Sequence, residues 1–79
     1  MDMSLSARLE SALREVAGNG SAMTSMTIDF GGEAGGGALE QKAWVERATR
    51  SLVFAQAELR RPSGSLAASA SAVFRRAGD

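Results

Sequence analysis

The segment from Thr49 to Arg76, TRSLVFAQAELRRPSGSLAASASAVFRR, repeats small and large side chains with a period of two on both sides of a proline-glycine turn. Val53, Ala55, Ala57 and Leu59 share one face of a strand read over 51–60. Leu66, Ala68, Ala70, Ala72 and Phe74 share one face of a strand read over 65–76. The large members stand at the ends of these faces and the alanines in the middle, which describes a shallow trough. A helix axis approaches a sheet closely only where the side chains between them are small, because interiors are close-packed. The pattern therefore calls for a helix lying across these two strands.

The segment Ser4 to Ala17, SLSARLESALREVA, supplies it. Leu5, Leu9, Leu13 and Val16 recur at helical spacing and make one apolar stripe. Ser4 is a ready N-cap, and Gly18 a stop. A strand is expected over 22–30, with Ala22, Thr24, Met26, Ile28 and Phe30 on one face and Met23, Ser25, Thr27 and Asp29 on the other. Another is expected over 38–47, placing Leu39, Ala43 and Val45 against Glu40, Lys42, Trp44 and Glu46, and its many charges suit a sheet edge. The run Gly31 to Gly37 is no phosphate-binding loop, since neither Gly-Lys-Ser/Thr nor a helix follows it; a flexible connection is the expectation. Pro62-Ser63-Gly64 forms a turn with proline at its second position. The expected fold class is α+β: one domain over 1–79, with a helix over 4–17 packed on a curved antiparallel sheet of about four strands.

A chain of 79 residues buries a thin core. It contains no cysteine, which excludes a disulfide, and no histidine. Carboxylates and carbonyls remain as metal ligands, but no acidic calcium-loop pattern is present; no metal and no cofactor are expected. Self-association is the expected compensation for the small core. Lysine plus arginine balance aspartate plus glutamate, nine against nine. From Arg47 onward six arginines face only Glu58 and Asp79, while acids dominate before it. The balanced total, and the lack of aromatics interleaved with the arginines, argue against a nucleic-acid partner. No signal peptide and no apolar run of membrane-spanning length is read, so a soluble, cytoplasmic protein is the expectation.

Three segments resemble the hotdog fold, in the form found in PaaI-like acyl-CoA thioesterases: SMTIDF (Ser25 to Phe30), GGALEQKAWVERATRSLVFAQAELR (Gly36 to Arg60) and PSGSLAASASAVFRR (Pro62 to Arg76). The resemblance covers about the last two-thirds of the chain. The family's first strand and its His-Gly-Gly-type loop, which offers backbone N–H groups to the thioester carbonyl, have no counterpart here. The connection after Phe30 departs from the family's pattern as well.

The resemblance implies a helix carboxylate that serves as general base or nucleophile, and Glu10 in RLESAL falls nearest that position. A plain surface ion pair between Glu10 and Arg14 is the competing reading. Arg47 and Arg50 fall where the family meets coenzyme A phosphates. Trp44, Leu52 and Phe54 lie opposite the helix seat and, with Met23, are expected at a subunit interface. The strand ending at Phe30 is expected to pair with its two-fold mate. Two functions follow as expectations: a thioester hydrolase working on acyl-CoA at the interface of a homodimer or tetramer, or a catalytically degenerate hotdog that acts as a homo-oligomeric binding or structural protein.

Overall fold

The computed structural model of the chain describes residues 4–31 and 38–76. Residues 32–37 of the glycine-rich connection lie outside the described residues. The elements run α1 (Leu5–Ala17), β1 (Ser21–Phe30), β2 (Glu40–Ala48), β3 (Leu52–Arg60) and β4 (Leu66–Arg76). The four strands form one antiparallel sheet in the order β1-β4-β3-β2, and the helix packs across one face of it. The chain is thus α+β. β2, β3 and β4 form a meander, and β1 joins it on the far side of β4, so the last strand is central and β1 and β2 are the edges.

Local chemistry sets the element ends. Ser4 sits in extended geometry, and its hydroxyl accepts a hydrogen bond from the Ala7 amide at 3.1 Å, satisfying an amide the helix leaves unpaired. Gly18 ends the helix with φ of 89°, and its amide donates to the Arg14 carbonyl at 3.1 Å. The turn between β3 and β4 has Pro62 in the second position; Gly64 donates to the Arg61 carbonyl at 2.8 Å and takes φ of 97°. The turn between β2 and β3 is closed by Thr49, whose amide donates to the Leu52 carbonyl while its hydroxyl accepts from the Leu52 amide.

The core is the trough and its occupant. Leu9, Ala12 and Leu13 of α1 meet Val53, Ala55, Ala57 and Leu59 of β3 and Ala68, Ala70, Ala72 and Phe74 of β4, all buried. The alanines let the helix approach, and Leu59 and Phe74 close the two ends. Leu5, Val16, Leu39 and Ala43 pack around this centre.

Two irregularities alter the simple alternation. The β1 register shifts between Met23 and Ser25, so Thr24 is an extra residue and its hydroxyl donates to the Val73 carbonyl at 3.0 Å. Met23 consequently pairs with Phe74, on the side of Met26 and Ile28, and packs against the core. Strict alternation placed Met23 on the outer face; the bulge turns it to the helix side, and it separates Ala22 from the Met26 face. β2 shifts likewise between Val45 and Arg47, around Glu46. Phe30 continues the inner face beyond the reach of the helix and is 63% exposed.

Candidate functional site

Glu10 stands on α1 one residue beyond the buried Leu9, on the flank of the apolar stripe. Its Oε2 accepts from both Nε and Nη2 of Arg14, each at 2.9 Å. The two side chains lie one helical turn apart, and both are substantially exposed. In this position the carboxylate can accept a proton from water, with Arg14 holding its orientation. It lines neither of the described surface depressions.

Arg47 projects from the opposite face of the sheet. Its residue pairs with Phe54, and its guanidinium carbon lies 5.6 Å from the centre of the Phe54 ring. Arg50 lies exposed in the β2–β3 turn. The helix and Glu10 occupy one side of the sheet and Arg47 the other. Within one chain Glu10 and Arg47 do not come together, so a site that used both would need a second copy.

The outer face also carries Trp44, Leu52 and Phe54, each half-buried. The Trp44 indole donates to Glu46 Oε1 at 2.9 Å, and Lys42 Nζ lies 5.9 Å from the ring centre. Phe54 pairs across β3–β4 with Val73, and beside them Ser25, Thr27, Gln56 and Ser71 floor a shallow depression of about 280 Å³. Val73, Ser71 and Ser69 escaped attention in the sequence because the alanine face of the same strand dominated it. The signal was there: they are the alternate positions of β4.

Two further arginines were missed as companions of Arg47 and Arg50. Arg75 pairs with Leu52, and the Arg76 amide donates to the Ser51 carbonyl at 2.8 Å, so both end β4 at the same end of the sheet. Only the strand order brings them there. Among the described residues none of these four pairs with a carboxylate. Arg60 and Arg61 are engaged instead: Arg60 bonds Glu58 at 3.0 Å and the Gly64 carbonyl at 2.7 Å, and Arg61 donates to the Leu66 carbonyl at 2.9 Å. They brace the Pro62 turn. Among the described residues no group of acidic side chains is arranged to hold a metal ion, and no helix is long and apolar enough to cross a membrane.

No protein-family model matches this chain, and no curated protein or solved structure is significantly similar to it. The class that the geometry itself defines is a four-stranded antiparallel sheet with one helix seated in an alanine-lined trough.

Proposed function

We propose that this chain is a hotdog-like domain that works as a homo-oligomer on an acyl-CoA thioester, with Glu10 as its carboxylate. The observation that carries the reading is the helix seated on the sheet in the order β1-β4-β3-β2, with Glu10 on that helix. The edge strand β1 bears one charged residue, Asp29, over Ser21–Phe30, so its outer edge is poorly guarded against pairing with a second β1. Such a pairing gives a two-fold dimer with a continuous sheet. That dimer leaves Arg47, on the outer face of the far edge strand, apart from either Glu10, so a site in which Arg47 and Arg50 meet the ligand's phosphates and another copy's Glu10 meets its thioester takes a higher oligomer.

In the reaction, Glu10 takes a proton from a water whose oxygen bonds to the thioester carbonyl carbon. The carbon–sulfur bond breaks, and the leaving thiolate takes up the proton, so that one carboxylic acid and one free thiol leave for each thioester and water consumed. The test is hydrolysis of short, long and aryl acyl-CoAs by the parent and by Glu10→Ala. Turnover that vanishes in the variant is the expected result; equal turnover in both rejects Glu10.

A second reading, a binding or structural scaffold without turnover, draws on the Glu10–Arg14 pair, which occupies the carboxylate with a neighbour of its own helix. Absence of turnover from every substrate, with acyl-CoA binding retained, selects it.

A further inference from the structure

We propose that the uncharged depression at the centre of the outer sheet face binds a neutral saccharide of one or two sugar rings. The inference is independent of the thioesterase reading and needs only one copy of the chain.

The cross-strand register assembles the site from three strands. One row runs Ser25, Val73, Phe54 across β1, β4 and β3, and the next runs Thr27, Ser71, Gln56. All six line the depression of about 280 Å³, and none carries a charge. The side chains of Ser25, Thr27, Gln56 and Ser71 form no hydrogen bond among the described residues. Four polar groups thus stand side by side with their bonding capacity unspent. β3 and β4 are the central strands, and their peptide groups are taken up by the ladders on either side. Recognition at this place falls to the side chains.

The chemistry of these groups selects the ligand. A serine or threonine hydroxyl both donates and accepts, and the glutamine amide offers two donors beside an acceptor oxygen. A sugar presents the same mixture: hydroxyls that donate and accept, and C–H groups on the ring. Phe54, half-buried, and Val73 beside it supply the apolar wall for those C–H groups. Other ligands fit worse. No arginine or lysine lines the depression, so it offers an anion no counter-charge. An acyl chain would leave the four polar groups covered and without partners, which is costly. An added peptide strand needs a free sheet edge, and β3 and β4 have none. Size agrees as well. The polar groups recur about every 4.8 Å across the strands and about 6.6 Å along them, spacings that one ring with its hydroxyls can span. The volume lies just below the roughly 300–1,000 Å³ of sites for drug-sized ligands. A ligand this small on so shallow a site is expected to bind in the millimolar range.

Amide-resolved NMR titration of the full chain tests the site. The ligands are the methyl glycosides of glucose, galactose, mannose and N-acetylglucosamine, with glycerol and inorganic phosphate as controls. Saturable shifts centred on Ser25, Thr27, Gln56 and Ser71 are expected with at least one glycoside, and none there with either control. Ser71→Ala and Gln56→Ala should each weaken that glycoside about fivefold, the loss of about one neutral hydrogen bond. Ser63→Ala, in the β3–β4 turn, should titrate like the parent. Both test substitutions only shorten a side chain on the outer face, so the melting temperature by circular dichroism should stay at the parent's value. The proposal is overturned by the absence of saturable shifts with all four glycosides, by equal shifts with glycerol, by shifts with phosphate alone, or by undiminished affinity in both variants. A second copy or a membrane occupying this face would give the first of these outcomes and overturn it as well.

Discussion

The backbone of Gly31 lies against the carbonyl oxygen of Leu66, so closely that a Cβ atom on Gly31 would overlap it. The Gly31 amide donates to the Ala67 carbonyl at 2.9 Å, which extends the β1–β4 pairing one residue past the strand. Gly31→Ala must push backbone against backbone. It is expected to destabilise by about 1–3 kcal/mol, in the range of overpacked sites. Gly64→Ala is the contrast, with open space around it but φ of 97°; its expected loss of about 1–2 kcal/mol comes from conformation alone. Urea unfolding measures both, and a Gly31→Ala protein as stable as the parent contradicts the close approach.

Ala70 stands at the floor of the helix seat, 3% exposed, between Ile28 on β1 and Ala57 on β3. Ala70→Leu adds three carbons where the helix lies nearest. A loss of about 1–3 kcal/mol is expected, together with a lower melting temperature by circular dichroism. Unchanged melting would reject the trough as the feature that sets the helix–sheet distance.

Ser4→Ala removes the hydroxyl that accepts from the Ala7 amide. The expected effect is about 1 kcal/mol of lost stability. Ser4→Asp, which restores an acceptor and adds a charge favourable to a helix N-terminus, should recover it. A loss of the same size in Ser4→Asp would mean that the hydroxyl serves something other than the cap.

Glu10→Gln breaks an exposed i, i+4 ion pair, and such pairs contribute about 0.3–0.5 kcal/mol. The variant should therefore melt within about 4 °C of the parent. That makes it a clean control for the hydrolysis assay, since any lost turnover then reports chemistry instead of folding. A large drop in melting temperature would give the Glu10–Arg14 pair a structural weight that its exposure does not suggest.

Much of the fold was legible in the sequence because two signals agreed. The 3.6 period of Leu5, Leu9, Leu13 and Val16 and the period-two alanine faces of β3 and β4 demand each other, and the helix and sheet meet through those residues. The bulges at Thr24 and Glu46 were not legible. One extra residue in a strand leaves no mark in composition, yet it moves Met23 to the other side of the sheet. The strand order was equally hidden: nothing local announces that β4 lies between β1 and β3. For that reason Arg75 and Arg76 gave no hint of sharing an end of the sheet with Arg47 and Arg50. The roles of Glu10 and the arginines were expected from a resemblance, and the geometry adds that one chain keeps Glu10 and Arg47 apart.

Seven of the twelve buried hydrophobic residues described are alanines: Ala12, Ala55, Ala57, Ala67, Ala68, Ala70 and Ala72. An alanine has almost no side chain left to lose, so at those seven positions nearly every substitution adds volume. The five larger buried residues, Leu9, Leu13, Val53, Leu59 and Phe74, can fail by leaving holes. The interior is thus mutationally lopsided. Most of its positions have almost nothing to shed and resist growth, and the distance between helix and sheet is a quantity that drift can widen but not narrow.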